Sequence, residues 1–155
     1  MTPQRGAEES DFEAFVAEVE PRLRRAFLAA YGAERGREAT AEALAWAWEH
    51  WRRVRGMHNA AGYLYRVGQS RSRPRRRAFM ELPVAAGEPW IEPALPGALL
   101  ELSEGQRTAV VLVHGFGWTL REVAELTGLR RTTVQNHLER GLARLRVALE
   151  TNEHA

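Results

Sequence analysis

Arg131, Gln135, Asn136, Glu139 and Arg140 recur at helical spacing near the C-terminus. Amides and guanidinium groups are the side chains that bond base edges and phosphates in DNA, an amide making two bonds to adenine and a guanidinium two to guanine. A solvated helix face uses the same residue types without any ligand. On the other side of this helix Val134, Leu138, Leu142, Leu145 and Leu149 follow one another at intervals of three or four, an apolar stripe. The polar set is therefore predicted to face outward from a packed helix, as major-groove reading requires. An ordinary helical hairpin with a polar face is the alternative.

The preceding residues supply what would hold such a helix in place. Thr119 followed three residues later by Glu122 reads as a capping box that starts a short partner helix, with Val123, Ala124 and Leu126 inward. Gly128 suits the left-handed backbone of a tight turn. Thr132 with Gln135 reads as a second capping box, starting the longer helix there. Together these make a helix-turn-helix.

Other chemistry is hard to find. The chain has no cysteine, and His50, His58, His114, His137 and His154 are scattered without metal-ligand spacing. Glu38 and Glu42 share a helix face, but general acid–base work needs a pocket and partners from a second element. Ser70 and Ser72 have no base beside them. No enzyme activity, metal or cofactor is expected. Nor is membrane insertion: the N-terminus is polar and acidic and no apolar run approaches spanning length, so a cytoplasmic protein is expected.

Charge is unevenly placed. The net charge is +2, yet residues 51–78 hold nine arginines and no acid, between acidic flanks. Such a block steers a polyanion, unless it is merely a solvated linker.

Along the chain, residues 1–9 read as a lead-in. Ser10 and Glu13 then cap a helix whose stripe is Phe12, Phe15, Val16, Val19, Leu23 and Phe27, with a kink or restart at Pro21. Gly32 and Gly36 bracket a turn before a second helix at about 38–54. Its inward side is read as Ala41, Leu44, Ala45, Trp48 and Trp51, with Trp46 partly exposed. Asn59 caps a third helix holding Tyr63, Leu64 and Val67, stopped by Pro74. Pro83, Pro93 and Pro96 with Gly87 and Gly97 mark a tether, in which Trp90 and Ile91 stand out as docking residues. Ser103 and Gln106 cap a helix at 104–114, and Phe116 and Trp118 are expected beneath the helix-turn-helix. The fold class is all-α: a helical domain at 9–75, a Pro/Gly linker at 76–96 and a helix-turn-helix domain at 97–151.

This order of parts resembles the extracytoplasmic-function sigma factors of bacterial RNA polymerase, from about Phe12 to Leu149. The likeness is strongest at Leu102, Arg107, Val110, Leu112, Gly117, Thr119, Glu122, Val123, Ala124, Thr133, Val134, Leu138, Arg140, Leu142, Leu145 and Arg146. Upstream, the helix segment Glu38–Trp48 and the run Tyr63-Leu64-Tyr65-Arg66-Val67 resemble the family's polymerase-binding and −10 segments. The sequence departs from the family at Ala41 and Ser70, where glutamine and asparagine are usual. It departs also at Gln135, Asn136 and His137, which stand where a basic residue, serine and arginine are commoner.

The resemblance implies an initiation factor without catalytic chemistry, whose partners are core RNA polymerase, promoter DNA and, often in this family, an anti-sigma factor. By position, Arg131, Thr132, Thr133, Gln135, Asn136, His137, Glu139 and Arg140 would meet the −35 duplex. Arg55, His58, Asn59, Tyr63, Arg66, Arg71 and Arg73 would meet the opened −10 strand by phosphate attraction and stacking. Glu38, Ala41, Glu42, Ala45 and Trp48 would meet polymerase. A sigma-like regulator that binds duplex DNA without initiating, and a helical protein-interaction module, are the competing readings.

Overall fold

A computed structural model describes residues 3–71 and 94–154, and every element among them is helical. The all-α expectation holds. The calls on Arg73, Pro74, Pro83, Gly87, Trp90, Ile91 and Pro93 lie outside the described residues, as does most of the expected tether.

The first helix, α1 (Pro3–Tyr31), starts earlier than the capping pattern implied and runs on through Pro21 as one element. Proline suits a first helical position, because the missing N–H would have no partner there, so Ser10 lies inside α1 and caps nothing. At Pro21 the lost bond would have been donated to the carbonyl of Ala17, an exposed residue that water can serve. Buried Val19 and Leu23 on either side hold the helix together across that point.

After Gly32, whose φ of 86° needs glycine, α2 (Ala33–Glu49) folds back along α1. The inward face of α2 is made of small residues, Gly36, Ala39, Thr40, Ala43 and Ala47. This corrects the sequence reading: Ala41, Ala45 and Trp48 point outward, with Trp48 43 % exposed. The bulky stripe misled because the two helices approach so closely. A Cβ on Gly36 would lie 3.0 Å from backbone atoms of Phe27 and Leu28, which leaves no room for large side chains between them. The second helix also ends sooner than expected, at Glu49, and a short turn α3 (Trp51–Val54) buries Trp51 and Val54. Phe12 and Phe15 close over Trp51, with ring centroids 5.2 and 5.1 Å away.

Helix α4 (Ala60–Arg71) begins where Asn59 Oδ1 accepts from the Gly62 N–H at 3.1 Å, the expected cap. The next described element is α5 (Leu95–Glu101), whose first two residues fall in the span read as linker. Next comes α6 (Glu104–Val110), started by the complete Ser103/Gln106 capping box. A π-helical turn, Val111–Gly115, leads out of it. Trp118 is buried as expected, but Phe116 is not: it is 38 % exposed, under the Arg25 guanidinium at 5.7 Å. Helices α7 (Leu120–Thr127) and α8 (Arg131–Glu153) complete the chain.

The two halves pack against each other. Arg107 of α6 donates from Nη2 and Nε to the Ala30 carbonyl at 2.8 and 3.2 Å, and from Nη1 to the carbonyl of Leu102 at 3.2 Å. It thereby serves carbonyls left over at the ends of α1 and α5 with a cation, the favourable sign for a helix C-terminus. Burial pulls the Arg107 pKa down. The phenols of Tyr31 and Tyr65 lie in the same seam, and both are pushed well above the usual tyrosine value. Burial is the main cause in each; Glu104 adds to Tyr31, and Tyr31 and Glu104 add to Tyr65.

Two stability predictions follow from these contacts. Gly36→Leu should cost roughly 1–3 kcal/mol through overpacking. Gly6→Ala, with nothing within 4 Å of the added carbon, should be neutral or stabilise by up to about 1 kcal/mol. Urea midpoints at constant m-value read both. The tyrosines set an alkaline limit. A phenol whose folded pKa is raised keeps its full contribution below the unfolded value near 10 and loses it above. Stability should therefore fall as pH rises past 10, by about 1.4 kcal/mol per pH unit for each such tyrosine. Tyr65→Phe should make that fall shallower; an unchanged slope would contradict the assignment.

Candidate nucleic-acid interface

Helix α7 and the first turns of α8 are held by a dense set of local bonds. Thr119 Oγ1 accepts from the Glu122 N–H at 3.1 Å, and Glu122 Oε1 accepts from the Thr119 N–H at 3.2 Å, completing the capping box read from the sequence. Gly128 takes the left-handed conformation at φ 74° and ends α7. Val123, Leu126 and Val134 are almost wholly buried between the two helices.

The second capping box is absent. α8 starts at Arg131, behind Arg130, with no side-chain cap, so Thr132 stands inside the helix. Gln135 turns outward instead, Nε2 donating to Glu139 Oε1 at 3.2 Å. The physical reason lies in the turn: Gly128 and Leu129 deliver an extended Arg130 to the Ncap position. The consequence bears on binding. α6 and α7 have their first N–H groups served by capping boxes, whereas those of α8 lack a side-chain partner and sit beside Arg130 and Arg131. Such a terminus is suited to a phosphate.

Of the residues expected to meet the −35 duplex, Arg131, Thr132, Gln135, Asn136, Glu139 and Arg140 are exposed, and Thr133 is half-buried. His137 lies at the edge of the apolar face, its ring so close to α6 that a Cβ on Gly105 would sit 2.9 Å from Nε2. The outward set presents two amides, a hydroxyl and two guanidinium groups on the exposed side of a helix braced from behind, which is what base-edge and phosphate bonding require.

The −10 set lies on the other half. Arg55 pairs loosely with Asp11 at 3.8 Å, and His58 and Arg71 are exposed. Asn59, beyond capping α4, donates from Nδ2 to the Glu125 carbonyl of α7 at 2.8 Å. Arg66 reaches the turn of the helix-turn-helix, where any side chain on Gly128 would collide with its guanidinium. Tyr63 belongs to a cluster that the motif comparison missed. The Trp46 ring stacks on His50 at 4.1 Å and tilts against Tyr63 at 5.4 Å, with the Arg53 guanidinium 5.4 Å from the Tyr63 centroid. The four-residue spacing of Trp46 and His50 was the available signal; Tyr63 comes from another helix.

The residues expected to meet polymerase, Glu38, Ala41, Glu42, Ala45 and Trp48, are all exposed along one side of α2. No described helix is long and apolar enough to cross a membrane. Among the described residues no group of histidine and carboxylate side chains could hold a metal ion.

Residues 94–145 match the family described as Sigma-70, region 4, the span that contains α5 to the middle of α8. No curated protein sequence matches the chain. Among solved structures the chain is similar to the sigma factor RpoE of Bartonella quintana, solved in complex with the anti-sigma factor NepR. The TM-score is 0.65 at 21 % identity, covering 90 % of this chain and 97 % of that one. A likeness at that identity speaks for the fold, and the family match speaks for the C-terminal segment. Residues 94–145 are thus similar to sigma-70 region 4, and the chain shares its fold with the Bartonella protein.

Proposed function

We propose that this chain is a transcription initiation factor that directs core RNA polymerase to particular promoters. The observation that carries the reading is the outward position of Gln135 and Asn136 on α8, inside the segment that matches sigma-70 region 4. The face of Arg131, Thr132, Thr133, Gln135, Asn136, Glu139 and Arg140 meets the −35 duplex, and His137 supports it from the edge. The exposed side of α2, Glu38 to Trp48, meets polymerase. Arg55, His58, Asn59, Tyr63, Arg66 and Arg71, with Arg73 beyond them, meet the opened −10 strand, and Trp46 and Arg53 extend that surface.

Residues 9–75 and 97–151 act as two domains joined by the tether at 76–96. Two weak DNA contacts mounted on one enzyme gain effective concentration, so neither need bind tightly alone. The work is non-catalytic and cytoplasmic. An anti-sigma partner that covers these faces would switch the factor off, by analogy with the complex in which the Bartonella protein was solved.

Transcription from a promoter library by core bacterial polymerase supplemented with the full chain tests this directly. Specific transcripts should appear, with one shared sequence element upstream of their starts. Gln135→Ala should relax the preference at one base pair of that element by about 1–3 kcal/mol. Arg131→Ala should weaken binding to all sequences alike and reduce the salt slope by about one. Sequence-specific duplex binding without any transcript would replace this reading with the non-initiating regulator, which the departures at Ala41 and Ser70 favour. Binding to polymerase with no DNA preference would leave the protein-interaction module.

A further inference from the structure

Residues 51–78 carry nine arginines and no acid, so any counter-charge beside Arg55 comes from outside that block. Helix α1 brings one. Glu8, Asp11, Phe12 and Phe15 fall at helical spacing along one side of it. Phe12 and Phe15 pack on Trp51, and Phe12 also on Trp48 at 4.9 Å, which pins the start of α1 across α3. The carboxylates beside those rings are thereby set against the basic side of α3. Asp11 Oδ2 lies 3.8 Å from Arg55 Nη2. Glu8 shares a cleft of about 330 Å³ with His50, Arg52 and Arg53, whose wall also holds Glu49 at the end of α2.

We propose that Asp11, with Glu8 behind it, determines the selectivity of the strand surface: the two carboxylates stand where strand phosphates would, and so weaken phosphate attraction relative to contacts with bases. This rests on the assignment of Arg55 to the opened strand made above. An arginine block unopposed by acid holds any polyanion. Phosphate contacts position a strand without reading it, so a surface that selects has that attraction trimmed. The pair also has the geometry of a contact that yields. At 3.8 Å it is too long for a charge-assisted hydrogen bond, and the Arg55 and Asp11 side chains are 49 % and 59 % exposed. Such a pair is screened by salt and contributes little to stability. A phosphate arriving at Arg55 displaces Asp11 at small cost. It still meets the carboxylate's charge, because the aromatic packing of Phe12 and Phe15 keeps this turn of α1 in place.

The affinity of the full chain for a fluorescent, randomised single-stranded DNA oligonucleotide, measured between about 50 and 200 mM salt, reads the effect. Asp11→Asn should bind roughly 2–5-fold more tightly at the low-salt end, the size of one exposed ion pair. Its salt slope should steepen by about 0.7, the equivalent of one further phosphate contact. Adding Glu8→Gln should increase both changes. In an Arg55→Gln background Asp11→Asn should gain nothing, which separates a local pair from net charge. Glu18→Gln removes the same charge from an exposed site farther along α1 and should stay close to wild type. With core polymerase, Asp11→Asn should initiate from a broader set of the promoter library. Unchanged affinity in Asp11→Asn, an equal gain from Glu18→Gln, a gain that survives Arg55→Gln, or an unbroadened set of promoters would overturn the proposal while leaving the strand assignment standing. Strand binding by neither wild type nor variants would remove the strand assignment itself, and this inference with it.

Discussion

Arg107 is the point on which the arrangement of this molecule turns. One guanidinium, partly withdrawn from water, collects the Ala30 carbonyl at the end of α1 and the Leu102 carbonyl after α5. Each of those oxygens is a leftover acceptor of a helix terminus, and each would be costly to bury alone. A lysine could not substitute, since the fork geometry lets one side chain serve both helix ends. With that point fixed, α6 lies against α1, α8 lies against α6 through the glycine at Gly141, and the polar face of α8 is turned outward.

Much of this was legible in local chemistry. The Thr119/Glu122 and Ser103/Gln106 boxes, the Asn59 cap and the left-handed Gly128 all depend on residues three or fewer positions apart, and short-range hydrogen bonds are what a sequence displays most directly. The apolar stripe of α8 was legible for a similar reason, since helical periodicity alone decides which side is buried.

Most of what escaped was set by contacts distant in sequence. The inward face of α2 could not be read from hydrophobicity, because close approach to α1 selects small side chains and turns Trp48 outward. The start of α8 obeyed the geometry of the turn and not the second box-like pattern at Thr132. His137, in register with the polar face of α8 by position, was claimed by packing on Gly105. Asn59 has a bond 66 positions away, and nothing in its neighbourhood announces it.

The most direct test of the central claim is whether the two amides on α8 touch bases. The side-chain amide resonances of Gln135 and Asn136 can be followed in the full chain by NMR as duplex carrying its selected sequence is added. The account predicts that both shift, that a duplex changed at one base pair moves them less, and that the signals of Gln69 and Gln106 stay in place. Arginine signals shifting alone, with both amides unmoved and the response the same for any sequence, would contradict it.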